Sequence, residues 1–150
     1  MRVALYIGKH TKDTPSVRLG WWLTRLVQKG DYRNVTHVEA ILREYEDGSV
    51  LIGSASLRDG GVRMKRCHLN LEHWDIVNVP QWSAEAAEQW FIDHEGAPYD
   101  WRGAFASCMP FSWGEWDEWF CNGAVGASVG LKCPEIFGPS QFAAICHSLK

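Results

Sequence analysis

Between Thr36 and Val79 the chain alternates short β-forming runs with turn signals, a pattern that commits this stretch to an antiparallel sheet. Thr36 to Tyr45 reads as a strand. Successive side chains of a strand point to opposite faces, so His37, Glu39 and Ile41 share one face and Val38, Ala40 and Leu42 the other. Glu46-Asp47-Gly48 is a hairpin signal, and Ser49 to Ser56 forms the returning strand. Arg58-Asp59-Gly60-Gly61 makes a second turn before a short strand over Val62 to Arg66. Trp74 to Val79 closes the meander, ended by Pro80. Arg2 to Ile7, rich in β-formers, predicts one more strand ahead of these.

The rest of the chain has helical spacing. Ser16 can cap a helix in which Leu19, Leu23, Leu26 and Val27 repeat on one side and Gly30 marks the stop. Ser83 caps another that runs to about Glu95, with Ala87, Trp90, Phe91 and His94 on one face and Gly96 after its end. Pro98 to Gly103 reads as a rigid turn into a small-residue segment, and Pro110 to Trp116 as an aromatic loop. Ala124 to Val129 suits a short, tightly packed helix with Gly130 as its stop, and Pro139-Ser140 opens a last helix carrying Phe142, Ala143, Ile145 and Cys146. The expectation is an α+β fold in which helices pack on a central antiparallel sheet. At 150 residues with 46% hydrophobic composition, the chain has material for a single domain with a real core.

Charge and hydropathy exclude several classes of function. A net charge of −3 lacks the basic footprint of a nucleic-acid binder, so no nucleic-acid partner is expected. The apolar run at the start is too short for a secretory h-region, and nothing later reaches membrane-spanning length, so no stable membrane insertion is expected and the default compartment is the cytoplasm. Cys67, Cys108, Cys121, Cys133 and Cys146 are odd in number, so at least one thiol stays unpaired within a monomer. A zinc site built from the last four with His147 would lack the Cys-x-x-Cys knuckle that gives such sites their signature. No metal and no cofactor are assigned.

Candidate chemistry centres on Cys121. It stands at the junction of an acidic, aromatic segment and the small-residue helix, where unpaired backbone N–H groups and the helix dipole favour a thiolate. A buried small apolar residue is the alternative reading of the same cysteine. A thiol nucleophile needs an imidazole and a polar group to orient it. His37 supplies the imidazole. Glu39, two residues along the same strand face and roughly 6.5–7 Å away between Cα atoms, is close enough to influence it.

Thr36-His37-Val38-Glu39, the turn-rich stretch from Gly53 to Val62, Gly96-Ala97-Pro98-Tyr99-Asp100-Trp101-Arg102-Gly103 and Trp119-Phe120-Cys121 together resemble the circularly permuted branch of the NlpC-type papain-like cysteine peptidase and amidase superfamily. The resemblance covers roughly residues 36 to 129. In ordinary members the cysteine helix precedes the histidine strand. In the permuted branch, which includes lecithin retinol acyltransferase-like proteins and small bacterial and phage-encoded relatives, the histidine strand comes first, as His37 precedes Cys121 here. The resemblance implies a papain-like fold with Cys121 as nucleophile, His37 as general base and Tyr99 beside the thiol, where it helps hold an oxyanion. The orienting group is Glu39 or, as in relatives that take it from the neighbouring strand, Ser54 or Ser56. Trp101 and Trp113 join these serines as candidate substrate contacts. Permuted relatives commonly read Cys-Ser-Glu at the nucleophile, whereas this chain reads Cys121-Asn122-Gly123.

These residues lead to a thiol hydrolase that cleaves an amide bond in a cell-wall peptide or a related N-acyl or γ-glutamyl linkage, with a peptide or small N-acyl compound as substrate. A phage-encoded or virion-associated setting fits the same resemblance. The reading from another class is a catalytically degenerate binding or assembly module on the same fold.

Overall fold

The computed structural model describes residues 1–8, 22, 30–106 and 118–150. Strands β1 (Arg2–Tyr6), β2 (His37–Glu44), β3 (Val50–Ser56), β4 (Gly61–Cys67) and β5 (Trp74–Asn78) form one antiparallel sheet in the order β4-β3-β2-β1-β5. After it come helices α1 (Ala84–Asp93), α2 (Trp101–Ala106), α3 (Cys121–Ser128) and α4 (Pro139–Ser148), with a 3-10 turn at Pro134–Ile136 between the last two. The class is therefore α+β, and the helix that begins at Cys121 follows the whole sheet. The helix expected from Ser16 towards Gly30 falls almost entirely outside the described residues, as does the aromatic loop with Trp113.

β5 does not close the meander beside β4. It crosses to the far edge and pairs with β1, Val3 lying opposite Val77 and Leu5 opposite Asp75. Val3, Ala4 and Leu5 of β1 are fully buried, and a strand sealed on both faces needs backbone partners on both sides. β4 instead carries Arg63, Lys65 and Arg66, charged side chains of the kind that keep an edge from recruiting another strand.

The two faces of β2 follow its alternation. Val38, Ala40 and Leu42 enter the main core with Phe91 of α1, Ala124 and Val125 of α3, and Phe142, Ala143 and Cys146 of α4, while Ile41 joins Ala4, Val50 and Ile52 in a smaller cluster on the other face. α1 starts where Ser83 accepts a hydrogen bond from the Ala86 N–H at 3.1 Å. It lies close to the sheet because Gly53 has no side chain. A Cβ there would come within 2.6 Å of the Phe91 ring. α3 packs across β2 and β3, and that contact positions the candidate site.

Candidate active site

His37 is the first residue of β2, opposite Tyr6, which is in turn opposite Trp74 of β5. The imidazole meets the Trp74 ring edge-on, with centroids 6.4 Å apart, and its side chain keeps 25% of its exposure. Nε2 bonds Glu39 Oε1 at 2.8 Å. One ring nitrogen is thereby committed to the carboxylate, which leaves Nδ1 for a partner on the other side of the ring.

Cys121 is brought to this end of the sheet by a short relay of backbone pairings. The turn after β3 leads to Gly61, which bridges Pro98, and Tyr99 bridges Trp119 in parallel. The Trp119 N–H donates to the Pro98 carbonyl and the Asp100 N–H to the Trp119 carbonyl, both at 3.0 Å. Gly61 has φ 157°, and a Cβ there would overlap the Ala97 carbonyl, so only glycine lets the two backbones meet. Trp119 is fixed from the other side by an edge contact with Trp90 of α1, centroids 4.9 Å apart. Two residues after Trp119, Cys121 opens α3 with 5% of its surface exposed.

The thiol hydrogen-bonds Asn122 Oδ1 at 3.6 Å and also acts on His37. Burial opposes a charge on His37, but the Glu39 carboxylate and then Cys121, each by charge and by hydrogen bonding, push its pKa up to about 10. Glu39 itself is 2% exposed. Burial works against its ionised form, and the hydrogen bonds from Arg63, followed by the charge of His37, outweigh that and hold it below the usual carboxylate range. Arg63 grips it with both arms, Nη1 to Oε2 at 2.7 Å and Nη2 to Oε1 at 2.6 Å.

The other residues singled out from the sequence take distinct positions. Ser54 is fully buried and donates its hydroxyl to the Val38 carbonyl at 2.7 Å, and Ser56 faces Asp59 in the turn that follows β3. The group bonded to the imidazole is thus Glu39 rather than either serine. Tyr99 is half-buried beside Trp119, on the backbone next to the one that enters α3. Trp101 is the first residue of α2 and is 61% exposed, with the Arg102 guanidinium 5.4 Å from its ring centre. Trp113 lies outside the described residues.

Arg63, Asn122 and Trp74 are site residues to which the sequence alone assigns no role. Arg63 was within reach: its strand was anticipated, and pairing it across the Arg58 to Gly61 turn sets it opposite Ser54 and on the Glu39 side. Asn122 stood next to the thiol, yet its amide donates to the carbonyl of the distant Phe137, a tertiary partner with no local signal. Among the described residues no three His, Cys, Asp or Glu side chains gather as a metal site would require, and no helix is long and apolar enough to cross a membrane. No protein-family profile, no curated protein and no solved structure matches this chain.

Proposed function

We propose that the chain is a thiol hydrolase of the circularly permuted papain-like kind, cleaving an amide bond through an acyl-enzyme on Cys121. The observation that carries this reading is the bond from His37 Nε2 to Glu39 Oε1 at 2.8 Å on an imidazole whose other neighbour is the Cys121 thiol. A nucleophile, a base and a group that orients the base stand in sequence, which is the arrangement covalent acyl transfer requires. The order of a histidine strand followed by a cysteine helix, packed on an antiparallel sheet, supports the permuted topology.

In this mechanism the imidazole holds the Cys121 proton and the sulfur attacks the amide carbonyl. The tetrahedral oxygen meets the N–H at the start of α3 and the Tyr99 hydroxyl. His37 gives its proton to the departing amine, leaving a thioester. The neutral imidazole then takes a proton from water, whose oxygen attacks the thioester, releasing the acid and restoring the thiol. Glu39 is a positioning residue: it fixes the ring and stabilises its charge. The substrate class that suits the site is a peptide or N-acyl amide.

The burial of Cys121, at 5% exposure, favours a second reading, a binding or assembly module that keeps the thiol as packing. Incubation with a panel of cell-wall peptides and N-acyl amino acids, followed by intact-protein mass spectrometry after an acid quench, separates the two. The hydrolase gives a mass adduct on Cys121 and released amine, both lost in Cys121→Ala. Amine release that persists in that variant, or no adduct and no release with any substrate of the panel, contradicts the reading.

A further inference from the structure

We propose that Arg63 is a positioning residue of this site, and that Asp59, Arg63, Glu39 and His37 form one row of alternating charge running from an exposed turn to the Cys121 thiol. The inference rests on the hydrolase reading and extends it to residues that touch neither the sulfur nor the imidazole. Arg63 spans the row: from β4 it reaches past the buried Ser54 to hold both oxygens of Glu39, at 2.7 and 2.6 Å. Its Nε is held by Asp59 Oδ2 at 2.9 Å, a pair four residues apart that bends back across the turn before β4.

The geometry answers a chemical need. A carboxylate that must orient an imidazole from a buried position is useless if it rotates or takes up a proton, and desolvation drives it towards the second. A planar guanidinium with two parallel bonds prevents both at once, since it fixes the carboxylate plane and supplies the opposing charge. Oε1 is shared by Arg63 and His37, so the Arg63 grip also sets where the imidazole bond must lie. Asp59 in turn holds Arg63 through a single bond to Nε and an opposing charge.

The charged and titratable groups that act on this carboxylate among the described residues come from three places. They are His37 on β2, Arg63 on β4 and, through His37, Cys121 on α3, while the carboxylate adds to the burial that pushes up the Cys67 thiol at the end of β4, and Asp59 feels Lys65 after Arg63. Of these, Arg63 alone both bonds Glu39 and carries a fixed charge. Its removal therefore predicts that Glu39 takes up a proton at higher pH and releases the imidazole there.

The test is the rate of Cys121 alkylation by iodoacetamide from pH 4.5 to 9, read by peptide mass spectrometry in the parent, Arg63→Met, Arg63→Lys, Asp59→Asn and His37→Ala proteins. The expected result is an acid-side loss of reactivity that moves upward by about a pH unit in Arg63→Met, slowing alkylation progressively towards pH 4.5, by up to about tenfold where the pH falls below both midpoints. Arg63→Lys recovers part of the rate, and Asp59→Asn shows a smaller loss in the same direction. Asp59→Asn lies on the turn and keeps the inference testable should Arg63→Met not fold. Profiles of Arg63→Met and Asp59→Asn that superimpose on the parent, while His37→Ala departs from it, overturn the role of Arg63 and leave the thiol–imidazole pair standing. If His37→Ala also superimposes on the parent, it is the hydrolase reading that fails.

Discussion

Glu39 keeps its charge in a place that would otherwise remove it, and the consequences can be measured through pH. The His37 pKa is raised to about 10 against an unfolded value of about 6.5, so its contribution to stability is fully present below pH about 6.5 and is lost as pH rises through about 10. Glu39 is shifted the other way. Its contribution is present above the unfolded carboxylate value of about 4.3 and is lost as pH falls through the lower folded one. His37→Ala should therefore destabilise the protein most near pH 5 to 6, by about 1–3 kcal/mol, because Glu39 is left with Arg63 alone, and by progressively less towards pH 10. Urea denaturation of both proteins at pH 5.5, 7.5 and 9.5 checks this, and a difference that stays flat or grows with pH contradicts it. At this scale the sequence carried His37 and Glu39, because two residues apart on a strand is a face relationship that any strand enforces. Whether the two would bond was invisible. That depended on side-chain rotamers fixed by Arg63, which reaches Glu39 from another strand.

Among the elements, α3 shows how a helix can be short, built of small residues and still well placed. Ala124 and Val125 are fully buried against the sheet, and the helix ends where Gly130 at φ 76° lets the Leu131 N–H return to the Gly126 carbonyl at 2.9 Å. Both ends were legible from composition: Cys121 before the small residues and glycine after them. The tie between Asn122 and Phe137 was not, since it joins the helix to the turn that precedes α4. Gly123, by contrast, is replaceable. A Cβ there would lie 3.4 Å from the Phe120 ring, an ordinary contact, and alanine in a helix is favoured over glycine by about 0.5–1 kcal/mol. Gly123→Ala should raise the thermal midpoint by a few degrees without slowing Cys121 alkylation. A lower midpoint, read by circular dichroism, would show that the start of α3 is tighter than its contacts indicate.

Across the whole molecule, the strands were legible and their order was not. Alternation and turn chemistry identify each strand locally, and β2, β3 and β4 pair as their hairpin turns direct. β5 follows no such turn. The segment between Cys67 and Trp74 leads the chain to the opposite edge, where the fully buried β1 needs a second partner. That crossing sets Trp74 in the row with Tyr6 and His37, so a feature of sheet topology also completes the surroundings of the imidazole. The proposed pairing of His37 and Cys121, 84 positions apart in sequence, likewise depends on topology, since α3 packs over β2 and β3. The measurement that tests it most directly is the alkylation rate of each cysteine at pH 7, in the parent and in His37→Ala. Cys121 is buried and Cys133 is exposed, so accessibility alone ranks Cys133 first. A thiol paired with His37 gives the reverse order in the parent, with Cys121 slowed by about tenfold or more in His37→Ala and Cys133 unchanged. Cys133 reacting faster than Cys121 in both proteins, with no effect of His37→Ala on either, would contradict it.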